Sequence, residues 1–259
     1  MKTLHFLSGF SRSGSTLLAS ILNQNPNVYA SKTSPLSDFL CLTEENFQKL
    51  DIQYTYDRQE ISNNVYNAII NNFYSHIEKP IIIDKHRGWP RNVQTLKQFI
   101  SDPKIIATYR PIPEVITSYI TLIEKTEQED NFVDNHLRQL NIEINNSNRA
   151  ELLWKEYISD SYSGLIYGLK YFPENIILVE YSDFINDPNR ELDRIYTFLD
   201  LDPFRHTFNN IFNFCKEDKD EAWGLTGLHD IRPNLKKQSR DPVEVLGKAN
   251  VELYNRFNL

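Results

Sequence analysis

The stretch from Leu4 to Asn23, LHFLSGFSRSGSTLLASILN, changes periodicity in its middle, and that change constrains the chain more than any other feature. Leu4, Phe6 and Leu7 form a short apolar run that breaks at Gly9. Phe10-Ser11-Arg12-Ser13 follows as a polar turn, and after Gly14 the apolar positions Leu17, Leu18, Ile21 and Leu22 return at helical spacing. The pattern reads as strand, loop and helix. In such a corner the first N–H groups of the helix point into one small space at the positive end of the helix dipole, where a phosphate-like anion is the natural occupant. An ordinary strand-turn-helix corner with a serine-rich loop has the same local pattern, so a functional reading depends on what the rest of the chain supplies.

The spacing Gly9-x-x-x-x-Gly14 followed by Ser15-Thr16 nearly matches the nucleotide P-loop, with Ser15 standing where that loop carries Lys. The P-loop Lys reaches the β- and γ-phosphates and the hydroxyl after it ligates Mg²⁺, so a loop without it is poorly equipped for a nucleoside triphosphate. Here the fixed positive charge comes from Arg12, whose guanidinium suits a compact anion gripped at one end. Phe10-Ser11-Arg12-Ser13-Gly14-Ser15-Thr16-Leu17 resembles the 5′-phosphosulfate loop of the sulfotransferases, which use 3′-phosphoadenosine 5′-phosphosulfate (PAPS).

The strand and helix signals along the chain point to a P-loop-like three-layer α/β fold, a central and mainly parallel sheet flanked by helices. The 259 residues suit a single domain over 1–259, and 40% hydrophobic content is enough for a core. A net charge of −7 argues against nonspecific nucleic-acid binding, so an anionic ligand has to be held by a local basic cluster against the global sign. Cys41 and Cys215 give neither a disulfide framework nor metal-ligand spacing. The first strand begins directly after Met1-Lys2-Thr3, and no apolar run reaches membrane-spanning length, so the expectation is a cytoplasmic protein without membrane contact.

Val28-Tyr29-Ala30 reads as a short strand, followed by Lys32-Thr33-Ser34-Pro35; Ser34 and Asp38 cap and begin the next helix. A helix is expected from Glu60 to Glu78, ending at Lys79-Pro80. Ile81-Ile82-Ile83-Asp84 is a β-branched run typical of a strand buried on both faces, and Lys85-His86-Arg87 emerges from its carboxyl end. Asn92 to Ile100 reads as a helix and Lys104 to Tyr109 as a strand. Arg110 closes that strand, and Pro111-Ile112-Pro113 opens a helix that carries Ser118 two turns in. Glu124 to Asn148, with Glu127, Glu129 and Asp130, is polar enough to be a helical insertion or a flap. A helix over Arg149 to Tyr171, a strand over Ile176 to Val179 and a helix over Pro188 to Leu199 complete the regular pattern, before a polar tail from Trp223 to Leu246.

The resemblance extends beyond the loop. Lys85 stands where the sulfotransferases place a catalytic Lys against the transferring sulfuryl group, and His86 is a candidate general base or a surface residue of a solvated basic loop. Arg110-x7-Ser118 resembles the site for the cofactor's 3′-phosphate; the bland alternative is an Arg paired with Glu114. Tyr181, in Glu180-Tyr181-Ser182, resembles the tyrosine beside the adenine and equally fits a core position, while Ser182 departs from the family's Glu there. Near Ser34 the protein-tyrosine branch carries a carboxylate thought to be the base, so the base is open here. Lys236, Lys237 and Arg240 fit a basic C-terminal segment folding over the nucleotide or a solubilising surface loop. The resemblance is to the protein-tyrosine and bacterial type rather than the cytosolic steroid type. It implies sulfuryl transfer from PAPS to a hydroxyl or amine acceptor, without a metal. Arg12, Ser13, Gly14, Ser15 and Thr16 would hold the phosphosulfate, Arg110 and Ser118 the 3′-phosphate. A P-loop kinase of small molecules and a noncatalytic nucleotide-binding scaffold are the alternatives.

Overall fold

The computed structural model describes residues 2–47, 49, 57–126, 130–216, 218–236 and 240–259. Its five strands are β1 (Thr3–Gly9), β2 (Val28–Thr33), β3 (Ile81–Lys85), β4 (Ile105–Tyr109) and β5 (Ile176–Glu180), hydrogen-bonded in the order β2-β3-β1-β4-β5. Every pairing is parallel. The registers bring Leu7 opposite Lys85, Gly9 opposite Thr108 and Tyr109 opposite Glu180, so the carboxyl ends of the strands form one edge. In open α/β sheets ligands bind outside that edge.

The central strands are apolar on both faces, as a sheet covered by helices on either side requires. Successive side chains point to opposite faces. Phe6, Ile82 and Ile105 accordingly enter one core with Trp89, Ile116 and Leu165, while Leu7, Ile83 and Ile106 enter the other with Leu18, Leu22 and Ile195. The helices supplying those partners are α1 (Ser15–Leu22), α5 (Ile112–Lys125), α8 (Ser159–Tyr171) and α10 (Pro188–Phe198). The sheet with a helical layer on each face is the three-layer arrangement expected from the strand and helix pattern.

Several helices differ in extent from the periodicity reading. The helix expected over 60–78 is Arg58–Phe73, opened by the Asp57 carboxylate accepting from the Glu60 N–H at 3.1 Å. It stops at Tyr74, whose hydroxyl donates at 2.5 Å to Asp84, pulling the chain down to the sheet. The helix expected over 92–100 is regular only at Val93–Leu96 and continues as turns to Ile100. Leu36–Phe47 forms a helix after Ser34, whose hydroxyl accepts the Leu36 N–H at 3.1 Å.

Between 124 and 148 the described residues include a helix, Phe132–Gln139, capped by Asn131 and seated through buried Val133 and Leu137. Its Asp134 is gripped by Arg149 at 2.7 Å. Glu127 and Glu129 lie outside the described residues. The expected helix over 149–171 is one helical run that starts earlier, at Asn146, and carries a π-helical segment at Leu153–Ile158. Among the described residues no helix is long and apolar enough to cross a membrane.

Asp84 ties the sheet to one helical layer. It is fully buried and accepts hydrogen bonds from Ser34 Oγ, Tyr74 Oη and Trp89 Nε1, the last at 2.8 Å. Burial raises its carboxyl above the usual Asp range, opposed by those donors. Removing the acceptor strands buried donors, each costing about 1–3 kcal/mol. Asp84→Ala is expected to lose about 3 kcal/mol or more in urea unfolding; a loss under about 1 kcal/mol would show that the donors find other partners.

Candidate active site

The loop after β1 is set by two close approaches. At Gly9, φ +144°, an added Cβ would lie 2.2 Å from Thr108 Oγ1 and 2.3 Å from the Thr108 carbonyl oxygen. At Gly14, φ +92°, it would lie 2.8 Å from the Tyr181 ring. Both glycines are in the left-handed half of backbone space that side chains rarely adopt, and so is Arg12 at φ +64°. A non-glycine residue held there carries a backbone cost, typical of functional loops. Phe10, 1% exposed, pins the loop into the core.

The Ser13 side chain points inward. Its hydroxyl donates to the Phe10 carbonyl at 2.6 Å and lies 2.8 Å from Thr108 Oγ1, and its N–H donates to the Phe10 carbonyl at 3.2 Å. Ser13 is thus consumed in folding the loop. The first intrahelical bond of α1 runs from Leu18 N–H to the Gly14 carbonyl at 2.9 Å. The N–H groups of Ser15, Thr16 and Leu17 therefore precede the helical ladder, at the positive end of the helix.

These residues open onto a cavity of about 1140 Å³. Gly14, Ser15, Thr16, Lys85, Arg110, Ser118 and Tyr181 all line it, as do Arg12 and His86. Eight Lys or Arg residues face this space against two acidic ones, Glu114 and Asp230, in a chain of net charge −7. The local sign is thereby reversed where an anion would sit.

Lys85 ends β3 and is only 6% exposed, its ammonium donating to Thr16 Oγ1 at 2.8 Å. Burial lowers its pKa from 10.5 to about 8. His86 accepts the Gly88 N–H on Nδ1 at 3.1 Å, which places its ring proton on Nε2, 3.3 Å from Asp38 Oδ1. Both nitrogens are occupied in holding the turn after β3.

Arg110, at the end of β4, is 4% exposed, donates to Glu114 Oε2 at 2.9 Å and stacks 4.7 Å from the Tyr181 ring centre. The pairing with Glu114 and the placement in the cavity thus hold together. Ser118 accepts from Arg12 Nε at 3.2 Å, and Arg12 Nη1 donates to the Leu228 carbonyl. The Arg12 guanidinium thus stands on the Ser118 side of the cavity, while Lys85 stands beside Thr16. Burial pulls the Arg12 pKa below the ordinary Arg value.

The C-terminal segment covers this cavity through residues 226–234, Lys236 and Arg240, the last ion-paired with Glu124 at the end of α5. Lys237 lies outside the described residues. Ser182, at the departure from the expected Glu, donates to Glu180 Oε1 at 2.6 Å. Two groups in or beside the cavity escaped the sequence reading as site residues. His229 lines it, and Asp220 holds His229. Their relation is nine positions across an irregular turn, which no periodicity marks. Among the described residues no group of three or more His, Cys, Asp or Glu side chains forms a metal site.

The sequence model of the sulfotransferase family matches residues 6–206. Solved structures with the same fold include a sulfotransferase domain from the curacin biosynthetic pathway, 16% identical, covering 100% of this chain and 92% of that one, with a TM-score of 0.50. A sulfotransferase from Alicyclobacillus acidocaldarius is 15% identical over 100% of this chain and 97% of its own, TM-score 0.50. The mouse sulfotransferase SULT7A1, complexed with PAP, is 14% identical over 99% of this chain and 82% of its own, TM-score 0.53. No curated protein sequence matches the chain.

The buried ammonium at the end of β3 gives a pH signature. With a folded pKa of about 8 against 10.5 unfolded, the unfolded state holds the Lys85 proton across that window, and stability rises with pH through it. Side-chain NMR of labelled lysines is expected to show one resonance titrating near 8 that Lys85→Met removes. The same substitution should flatten the rise in stability between pH 8 and 10.5. Titration of Lys85 near 10.5 with an unchanged slope would contradict this.

Proposed function

Because the chain belongs to the sulfotransferase family, we propose that it moves a sulfuryl group from PAPS to a hydroxyl or amine acceptor. The observation carrying this reading is the gathering, in one cavity at the carboxyl edge of the sheet, of the loop around Gly14 with Lys85, Arg110 and Ser118. The residues suit a bis-anionic adenylate: the N–H groups of Ser15, Thr16 and Leu17 precede the helical ladder of α1 beside the cavity, and the lining is predominantly cationic. A mouse neighbour of the same fold is complexed with PAP.

The donor supplies a sulfuryl group activated by its bond to the 5′-phosphate. The N–H groups of Ser15 and Thr16 at the start of α1 hold that end. Lys85, fixed by Thr16, places an ammonium against the oxygen that gathers charge as the sulfuryl group departs, a contact that strengthens in the transition state. Arg110 and Ser118 take the 3′-phosphate, with Arg12 between the two anionic ends because its guanidinium reaches from the loop to Ser118. Tyr181, stacked on Arg110 and seated against Gly14, offers its ring to the adenosine. Lys236 and Arg240 close the cavity from the C-terminal side, and the single domain works in the cytoplasm on a soluble nucleotide.

Calorimetry with adenosine 3′,5′-bisphosphate and with ATP plus Mg²⁺ separates this reading from a kinase. The bisphosphate is expected to bind at least about tenfold more tightly, and a preference for ATP would overturn the proposal. Arg110→Gln is expected to weaken the bisphosphate by about 10- to 100-fold, as loss of a charged hydrogen bond does, and to change AMP affinity by less than about threefold. Equal losses for both ligands would remove Arg110 from the 3′-phosphate. Tight bisphosphate binding without transfer from PAPS to any of a broad set of alcohols, phenols and amines would favour a binding scaffold.

A further inference from the structure

Resting on the sulfuryl-transfer reading above, we propose that His229, oriented by Asp220, is the general base that takes the acceptor's proton. Asp220 grips His229 at two points. Its Oδ1 lies 2.6 Å from His229 Nδ1, and its Oδ2 accepts the main-chain N–H of His229 at 2.9 Å. An ionised carboxylate only accepts, so the imidazole proton sits on Nδ1 and the lone pair is on Nε2. A carboxylate holding Nδ1–H to leave Nε2 basic is the arrangement by which a buried acid fixes the tautomer of a catalytic histidine.

The support behind the pair is rigid. Asp220 is 7% exposed and begins the 3₁₀ turn Asp220–Trp223. That turn closes at Gly224, φ +60°, where a Cβ would lie 2.2 Å from the Asp130 carbonyl oxygen. The pair therefore stands on a turn locked against Asp130 and Asn131, just before the Phe132–Gln139 helix, not on a loose tail.

His229 lines the same cavity as Thr16 and Lys85. The residue before it, Leu228, accepts Arg12 Nη1 on its carbonyl. Asp218 lies within electrostatic reach of both Lys85 and His229, and Asp220 within reach of Arg12. The imidazole thus shares the cavity, and neighbouring carboxylates, with the cations assigned to the transferring group. His86, the histidine that the sequence singles out, has Nδ1 filled by the Gly88 N–H and Nε2 turned to Asp38, an exposed carboxylate, so accepting a proton there means breaking the turn.

In the step, a lone pair of the acceptor oxygen or nitrogen forms the new bond to sulfur. The bond between sulfur and the 5′-phosphate oxygen breaks, and its electron pair leaves on that oxygen. The acceptor's proton passes to His229 Nε2, giving an imidazolium held by Asp220, and then to solvent. A neutral acceptor and PAPS become the sulfated product, adenosine 3′,5′-bisphosphate and one proton.

The test uses the full chain with water as the universal acceptor, following release of labelled sulfate from ³⁵S-labelled PAPS under single-turnover conditions. His229→Asn keeps an amide donor near the Nδ1 position for Asp220 and removes the base. It is expected to slow release about 100-fold or more, the usual contribution of a general base, while calorimetric affinity for adenosine 3′,5′-bisphosphate stays within about threefold. Asp220→Asn is expected to slow release with the same preserved affinity, and Asp220→Glu to recover part of the rate. Nitrogen-15 NMR of the histidines in the free wild-type protein is expected to show His229 protonated at Nδ1 with a bare Nε2, a state that Asp220→Asn alters. Release in His229→Asn within about threefold of wild type, loss of bisphosphate affinity in that variant, or an Nε2-protonated His229 would each overturn the assignment. A wild type that binds ATP with Mg²⁺ more tightly than adenosine 3′,5′-bisphosphate would instead overturn the PAPS reading itself, so the two failures are distinct.

Discussion

The close contact between β1 and β4 at Gly9 is the constraint on which the site depends. No side chain fits between Gly9 and Thr108, so the strand can end against its neighbour and turn at once into the loop. Thr108 then accepts Ser13 into the same hydrogen-bonded knot, and the chain passes Arg12 in a left-handed conformation before starting α1 at Gly14. A wider approach would leave room for a longer, looser loop, and neither the helix amides nor Arg12 would be aimed at the edge of the sheet. Local backbone geometry, more than net composition, is therefore what gathers positive groups at one edge of the sheet in a chain of charge −7.

The cations of this receptor are not held alike. Lys85 is buried and Arg12 partly so, and their hydrogen bonds run to a hydroxyl and to a hydroxyl plus a main-chain carbonyl respectively. Neutral acceptors orient a charge without cancelling its field. Arg110 instead pairs with a carboxylate, Glu114, and lies over an aromatic ring. That pairing offsets part of the desolvation cost of a nearly buried guanidinium and fixes its plane, at the expense of some of its attraction for an incoming phosphate. Near the loop and β3 the cations thus keep neutral hydrogen-bond partners, with Asp218 and Asp220 at longer range, whereas Arg110 is directly ion-paired.

Much of this was legible in the chain because its signals are local. The β-branched runs at 81–84 and 104–109 mark β3 and β4 to within a residue at each end, since buried parallel strands leave no polar face to confuse the pattern. The loop could be read because glycine spacing encodes backbone conformation directly. Helix ends were read less well: the helix ending at Phe73 is terminated by the Tyr74–Asp84 hydrogen bond, a tertiary contact with no local mark. The segment before Asn148 is polar in composition, yet it yields a packed helix because two buried residues and the Asp134–Arg149 pair suffice to seat it. A loop serine serves the loop or the ligand, and only the fold decides which: the Ser13 hydroxyl is spent on Phe10 and Thr108.

The C-terminal segment was the least legible part, and its composition explains why. Its basic residues suggest a cover held by charge, and the Arg240–Glu124 ion pair is such a contact, but the structure also attaches it through the Leu228 carbonyl on Arg12 and Gly224 against Asp130. These contacts link the segment to α5, to the loop after β1 and to the residues just before the Phe132–Gln139 helix. A carbonyl accepting from Arg12 is possible only because the left-handed backbone at that residue sends its guanidinium across the cavity. The segment thus belongs to the walls of the site in the same sense as the strand ends do, although it contributes no strand and shows no periodicity by which the sequence could announce it.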